Sequence, residues 1–159
     1  MAAPLQTLVL FAVPQEARPF QALAADHAHV SVRVTGIGAR RAATVMREEL
    51  RRGSPDRVLT CGFAGGLNPA LGTGALVAAW SERWPDPAGL TAAGFRPVSF
   101  VSSERVVVTA GDKRRLREQS GADAVEMESE AIQRVCAGHG VPAATLRVIS
   151  DSADEDLPL

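Results

Sequence analysis

The sequence lacks the features that mark several classes of protein. It has 159 residues, no tyrosine and two cysteines, and its 17 basic and 18 acidic residues leave a formal charge of -1. A dedicated nucleic-acid binder would show a basic excess. No apolar run is long enough to span a membrane, and no basic segment precedes the apolar start, as it would in a signal peptide. We therefore expect neither nucleic-acid binding nor a membrane span.

Few side chains could form a metal centre or a disulfide. Cys61 and Cys136 lie far apart in apolar surroundings, and His27, His29 and His139 make no ligand motif with them. Reduced, buried thiols in a cytoplasmic protein fit this pattern best. We expect no metal and no cofactor.

What the sequence does contain is an alternation of strand-like and helix-like segments. The composition, 46% hydrophobic and 22% charged, suits one globular domain over residues 1–159. Strand patterns occur in residues 7–13, 30–35, 57–61, 76–80, 98–101, 105–109, 121–125 and 144–149. Helix patterns occur in residues 16–25, 39–52, 113–119 and 128–139, with Asp112 as the N-cap of the third. Residues 62–67 read as a loop, and residues 81–96 as mostly loop. The alternation predicts an α/β fold, a central mixed β-sheet flanked by helices.

Candidate site residues lie where predicted strands end. Glu16, the Gly36-Ile37-Gly38 turn, the glycine-rich segment 62–67 (GFAGGL) and Asp151 each follow a strand, and residues 125–128 (VEME) join a strand to a helix. In open α/β sheets, ligands bind beyond the carboxyl ends of the strands. We expect these five segments to converge on one rim.

Each candidate also has a simpler interpretation. Glu16 suits the first turn of a helix, where the helix dipole favours acidic residues. The glycines could serve only to turn the chain. Glu126 and Glu128 could be exposed helix charges, Met127 a core residue, and Asp151 a turn cap. The local patterns leave these alternatives open.

The longest motif covers residues 124–154 and reads AVEMESEAIQRVCAGHGVPAATLRVISDSAD. It resembles the signature of the nucleoside phosphorylase family, most closely the methylthioadenosine and S-adenosylhomocysteine nucleosidases. That signature has a V-E-M-E segment leading into a helix, a G-V-P turn, a strand and an S-D-x-A-D end. The family's early G-I-G turn, its G-x-A-G-G-L segment and its glutamate after the first strand match residues 36–38, 62–67 and Glu16. The resemblance implies a nucleoside phosphorylase-like fold and cleavage of the bond between a purine base and a ribose-like sugar.

The resemblance also implies a role for each of three carboxylates. Asp151 assists the departing purine at N7, a role that needs a carboxyl group able to hold a proton near neutral pH. Glu128 binds both sugar hydroxyls and favours the positive charge of an oxocarbenium-like transition state. Glu16 activates the attacking water. The expected reaction is hydrolysis of an adenosyl-type purine nucleoside.

Two other functions remain open. A phosphorylase would bind phosphate through glycine turns and arginines, here Gly36, Gly38 and Arg40. A catalytically degenerate protein that only binds purines or nucleosides is the third hypothesis. In each case the remaining substrate-binding residues implied by the resemblance are Phe63, Ala64, Gly65, Val125, Glu126, Met127 and Ser150.

The sequence departs from the family at two places. Phe63 stands where the nucleosidases have a small polar residue, which indicates a pocket altered for a bulky apolar group on the sugar. A similar loop occurs in relatives linked to hopanoid synthesis, which act on an adenosyl-hopane. The chain is also short in residues 81–97 and after Asp151, where the family has a closing helix. We therefore expect Asp151 to be less shielded, with a homodimer supplying cover.

Overall fold

The computed structural model describes residues 2–158, which form two compact units. The first unit comprises the chain up to Gly62, Trp80–Pro85 and Glu128–Thr145, and the second comprises Phe63–Ala79, Asp86–Met127 and the chain from Leu146. Among the described residues, eight strands form a mixed sheet and five helices flank it. The predicted α/β class is confirmed, whereas the single domain over residues 1–159 stays a prediction.

Three parallel strands form the start of the sheet in the first unit. They are β1 (Thr7–Phe11), β2 (Val30–Val34) and the first part of β3 (Arg57–Gly66), with β1 in the middle. Every residue of β1 is buried, as its unbroken apolar run predicts. Phe11 lies in register with Val34 on one side and with Cys61 on the other. The three strands therefore run the same way and bring their carboxyl ends to one edge.

Three helices belong to the first unit: α1 (Pro14–Ala24), α2 (Ala39–Arg52) and α5 (Ser129–Gly138). Pro14 begins α1, since a first-turn residue has no helical partner for the N–H that proline lacks. Ala42 and Met46, four residues apart on one face of α2, pack in one buried cluster with Leu8 and Leu10 of β1. The predicted range of α2 is confirmed, and Gly53 caps it.

The second unit contains both parallel and antiparallel strand pairs. It is built from the end of β3, β4 (Leu76–Trp80), β5 (Arg96–Pro97), β6 (Phe100–Ser102), β7 (Ala124–Glu126) and β8 (Ala143–Asp151), with helices α3 (Pro87–Ala92) and α4 (Ala110–Ser120). β7 runs antiparallel to β3, with Gly65 opposite Val125, and β6 runs parallel to β7. β5 pairs with β4 in parallel. Three strands, β3, β4 and β8, contribute residues to both units.

The glycine-rich segment 62–67 is a strand and not the predicted loop. β3 continues through Gly66 because Gly65 and Gly66 pair with Val125 and Ala124 of β7. A side chain at Gly66 would also press on its neighbours, since an added Cβ would lie 3.1 Å from the carbonyl oxygen of Asp151. The glycines thus admit a close neighbour instead of turning the chain.

Among the smaller predictions, one is refined and two are wrong. Residues 81–96, expected to be mostly loop, also contain the short helix α3, whose start is capped by the Asp86 side chain accepting from the Gly89 N–H. Residues 105–109, expected to be a strand, join no strand pair in the described structure. Helix α4 begins one turn before the predicted N-cap, because the Thr109 hydroxyl accepts from the Asp112 N–H.

Candidate active site

Glu16 lies in the first turn of α1, directly after β1, and is half-buried. Its carboxylate lies against the backbone of Gly62 in β3: a Cβ added at Gly62 would be 2.7 Å from Oε2 of Glu16. Gly62 also has φ +150°, a conformation that L side chains rarely adopt. Glycine at this position therefore leaves the space in which the Glu16 carboxylate lies.

Glu128 is the residue just before α5, and its carboxylate reaches the turn after β2. The Gly38 N–H donates to Oε2 of Glu128 at 2.8 Å, in a part-buried bond between residues 90 positions apart. Gly38 has φ +100° and is the N-cap residue of α2. The VEME and G-I-G segments, matched separately in the sequence, thus meet at a carboxylate.

The first unit brings two predicted carboxylates to one edge of its sheet. Glu16 follows β1, Gly38 with its partner Glu128 follows β2, and Gly62 lies next to Cys61, which is in register with the end of β1. Parallel strands end at the same edge, which is where such sheets bind ligands.

The predicted phosphate-binding residues are arranged less favourably for an anion. Gly38 donates its N–H to a carboxylate, and Arg40 is exposed. Gly36 is overlain by a different arginine: a Cβ added there would lie 2.7 Å from Cδ of Arg41. Arg41 was not among the phosphate-binding residues predicted from the sequence, although it follows Arg40 directly in the chain.

Asp151 is the last residue of β8 and belongs to the second unit. It is only 3% exposed, so the expectation of a poorly shielded aspartate is wrong. Its Oδ1 accepts from the Ser150 hydroxyl at 2.5 Å, and its Oδ2 forms an ion pair with Lys113 of α4. The shielding comes from α4 and from the residues that follow β8, because Lys113 also binds the carbonyl oxygens of Ser152 and Glu155.

Lys113 is the main site residue that sequence reasoning missed. Its neighbours in α4 are charged, and this pattern indicates a solvated helix, yet Lys113 is fully buried. One signal was available. Lys113 lies three residues before Leu116, so both fall on the face of α4 that carries its apolar contact.

Glu126 is buried together with a second cation of the same unit. Arg147 of β8 donates to Oε2 of Glu126 at 3.2 Å, and the Ser102 hydroxyl donates to Oε1 at 2.8 Å. Both side chains of the ion pair are at most 2% exposed. Arg147 and Glu126 thus form a buried ion pair within the second unit.

The other predicted substrate-binding residues differ in exposure. Ala64 and Val125 are buried, Met127 is half-buried, and Phe63 is 53% exposed. Gly65 lies close to Asp151, since a Cβ added there would be 3.5 Å from Oδ2. The expectation that all five segments share one rim stays a prediction, as do the individual binding roles.

No metal centre is indicated within residues 2–158, and the Cys136 thiol is unreactive. No group of three or more His, Cys, Asp and Glu side chains in that range is placed to hold a metal ion. Burial raises the pKa of the Cys136 thiol to about 12, so this side chain is not a thiolate at neutral pH. None of the described helices is both long and apolar enough to cross a membrane.

Comparisons with known proteins bear on this arrangement. Residues 88–158 match the Phosphorylase superfamily. A mutant of the Helicobacter pylori 5′-methylthioadenosine/S-adenosylhomocysteine nucleosidase (MTAN), with 5′-methylthioadenosine in its active site, superposes with a TM-score of 0.83 at 20% identity, covering 96% of this chain and 88% of the other. The Campylobacter jejuni MTAN gives 0.80 at 20% identity, with 98% and 90% covered.

A third similar structure is the futalosine hydrolase of Helicobacter pylori, with a TM-score of 0.78 at 22% identity over 95% of this chain and 87% of the other. At such identities the likeness establishes the fold. The chain therefore has the fold of the nucleosidases in the nucleoside phosphorylase family, and the resemblance inferred from its sequence is confirmed.

Proposed function

We propose that this protein cleaves the N-glycosidic bond of an adenosyl-type purine nucleoside by water. The similar structures are named as nucleosidases for methylthioadenosine and adenosylhomocysteine and as a futalosine hydrolase, and one of them holds 5′-methylthioadenosine. The fold alone fixes no reaction, so the proposal is argued from this chain's own carboxylates.

The bond between the Gly38 N–H and Glu128 carries the proposal. A carboxylate that only made a solvated helix charge would need no partner from the end of another strand. Here Oε2 is oriented by a backbone donor, which fixes the direction of the carboxylate. In the proposed reaction, Glu128 accepts hydrogen bonds from the two sugar hydroxyls. Its negative charge also stabilises the cationic sugar as the bond to the purine lengthens.

Glu16 is assigned the role of activating the attacking water. Its half-buried carboxylate lies over Gly62, at the edge to which β1 and β2 bring their carboxyl ends. It removes a proton from water while the water oxygen bonds to the anomeric carbon.

Asp151 is assigned the role of proton donor to the departing purine. The carboxyl takes up a proton from solvent and gives it to N7 as the bond to the sugar breaks, and the proton taken by Glu16 returns to solvent. One nucleoside and one water thus give one purine and one free sugar. Met127, Phe63, Ala64, Gly65, Val125, Glu126 and Ser150 are proposed to line the substrate.

Phosphorolysis is the second candidate, with Gly36, Gly38 and Arg40 as phosphate ligands. Hydrolysis is favoured because the Gly38 N–H already donates to Glu128, and a carboxylate at that position repels phosphate. A non-catalytic nucleoside-binding protein remains the third.

Incubation with methylthioadenosine, adenosylhomocysteine, adenosine and futalosine, with and without phosphate, separates the candidates. Chromatography of the products should show free purine and free sugar in phosphate-free buffer. A strict phosphate requirement with a sugar phosphate as product would replace hydrolysis by phosphorolysis. Binding of a nucleoside without turnover would leave only the binding protein.

The proposal includes a homodimer that works in the cytoplasm. Light scattering of the purified protein tests the assembly, and a mass of one chain at working concentration would contradict it.

A further inference from the structure

Arg41 occupies a position in its helix that is unfavourable for a cation. It is the third residue of α2, and the positive end of the helix dipole favours acidic side chains in this turn and disfavours basic ones. The first turn of α2 carries no acidic residue, and it contains both Arg40 and Arg41. Helix stability therefore does not account for an arginine at this place, and such local conflicts are expected at functional sites.

The side chain of Arg41 lies over the turn that precedes α2. Side chains in an α-helix lean toward its N-terminus, so an arginine in the first turn runs back over the residues before the helix. Gly36 provides the space, because a Cβ added there would lie 2.7 Å from Cδ and 3.4 Å from Nη1 of Arg41. The guanidinium group is thereby placed at the end of β2.

The turn beneath Arg41 belongs to the sheet edge that carries two candidate carboxylates. The Thr35 N–H donates to the carbonyl oxygen of Phe11 at 2.8 Å, so the turn begins beside the end of β1. Glu16 follows β1, and Glu128 accepts a hydrogen bond from the same turn. Arg41 therefore brings a positive charge to the edge that holds Glu16 and Glu128.

The fold does not use the charge of Arg41. Within residues 2–158, Arg41 makes neither an ion pair nor a hydrogen bond, whereas Arg33 and Arg52 both lie within ion-pair distance of Glu49. Arg41 is also exposed, so a ligand can reach its guanidinium group. Its planar set of N–H donors suits a carboxylate, which it can bind with two parallel hydrogen bonds.

The proposed reaction indicates which part of the substrate Arg41 would meet. Glu128 takes the two sugar hydroxyls, and the anomeric carbon carries the purine and meets the water. The 5′ carbon is the position from which the nucleoside extends further. Because Glu16 and Glu128 repel a negatively charged 5′ substituent, such a substituent needs a cation at this edge, whereas a neutral one does not.

We propose that Arg41 determines specificity for nucleosides whose 5′ substituent ends in a carboxylate, and that its guanidinium group binds this carboxylate. The inference rests on the proposed function, since Glu128 orients the sugar. Free phosphate has similar oxyanion chemistry, but it would have to bind unaided beside Glu128. A carboxylate attached to a bound nucleoside is already held close to Arg41, so even a weak pair contributes to affinity.

The test compares Arg41→Gln with Arg47→Gln, a change at another exposed arginine of α2 that has no ion pair among the described residues. The substrates are adenosylhomocysteine, its carboxamide and methylthioadenosine. An exposed charge pair contributes up to about fivefold to affinity, and a bidentate pair contributes more. In Arg41→Gln, kcat/KM for adenosylhomocysteine should therefore fall about three- to tenfold through KM, with the other two substrates unaffected. Arg47→Gln should leave all three values unchanged.

Two results with an active wild type would overturn the role of Arg41. If Arg41→Gln lowers kcat/KM equally for all three substrates, or for none, the arginine does not recognise the carboxylate. If the reaction requires phosphate and Arg41→Gln raises only the KM for phosphate, the guanidinium group binds that anion instead.

Failure of the proposed function has a different signature. A wild type that releases no purine from any of the three nucleosides overturns the proposed reaction, and calorimetry then measures the Kd values of the same ligands. Tighter binding of adenosylhomocysteine than of its carboxamide, lost in Arg41→Gln and kept in Arg47→Gln, would still support the role of Arg41. Equal Kd values for the two ligands would overturn it.

Discussion

The two compact units treat their carboxylates differently. In the first unit, Glu16 and Glu128 are half-buried; Glu16 lies against Gly62, and Glu128 accepts from the Gly38 N–H. In the second unit, Asp151 and Glu126 are almost wholly buried, and each is joined to a buried cation. The deeper burial of Asp151 and Glu126 makes an opposite charge necessary, because a charge withdrawn from water is costly, whereas a half-exposed carboxylate keeps part of its hydration.

This difference suggests a division of labour. Carboxylates that keep solvent contact are suited to meet water and hydroxyl groups. Carboxylates paired with buried cations are suited to hold one direction. Substitutions in the two units should therefore fail in different ways, the second unit losing stability along with activity.

The largest effect is expected from Asp151→Asn. General acids contribute about 10²- to 10⁴-fold to rates, and an amide cannot pass a proton to the purine, so kcat should fall by about that factor. The substitution also leaves the Lys113 ammonium without its carboxylate, so Tm should fall too. Steady-state kinetics on the folded fraction separates the two losses. Unchanged kcat would remove Asp151 from the reaction.

Arg147→Met should damage the fold of the second unit. It leaves the Glu126 carboxylate buried with Ser102 as a remaining partner, and breaking a buried ion pair in this way costs about 3–5 kcal/mol. Denaturant unfolding should show that loss. Adding Glu126→Gln should recover much of it, because no buried charge then remains. If the double variant is as unstable as the single one, packing and not charge explains the pair.

Much of the fold was predictable from local pattern. The buried run of β1 and the whole range of α2 were assigned from sequence, since a continuous apolar strand and an amphipathic helix ended by Gly53 carry their own signals. The glycine-rich end of β3 was misassigned. Its strand conformation depends on pairing with β7, about sixty positions away, as in Gly65 with Val125, and no local pattern contains that partner.

The candidate site also contains residues that were predicted from the sequence and one that was missed. Glu16, Glu128 and Asp151 were singled out from motifs, and the bond between Gly38 and Glu128 agrees with two of those motifs being neighbours. Lys113 was missed because a lysine among charged helix residues indicates solvent, and only the end of β8 makes it a buried partner. The sequence shows that a charged residue is present. Only the tertiary contacts show whether that residue is solvated or paired with another charge.

A smaller effect is expected from Glu128→Gln, which tests a half-exposed carboxylate. A hydrogen bond to a charged group contributes about 1.5–3 kcal/mol, so the loss of charge should raise KM roughly tenfold or more, while Tm changes little. Glu130→Gln, at an exposed position two residues on, is the matched control and should leave KM unchanged. If KM is the same in both variants, Glu128 does not bind the sugar and is only a solvated charge at the start of its helix.

The smallest and most specific effect should come from Gly62→Ala, compared with Gly53→Ala. Both glycines have strongly positive φ, +150° and +158°, so alanine strains the backbone at either position. Around Gly53 no atom lies within 4 Å of an added Cβ, whereas at Gly62 that Cβ would meet Oε2 of Glu16 at 2.7 Å. The end of a glutamate side chain can move aside at little cost, so the two variants should have similar Tm values. Only Gly62→Ala displaces the carboxylate assigned to water, and its kcat should fall severalfold while that of Gly53→Ala is preserved. Equal kcat in the two variants would show that the position of Glu16 does not matter to the reaction. The proposal that Glu16 activates the attacking water would then be wrong.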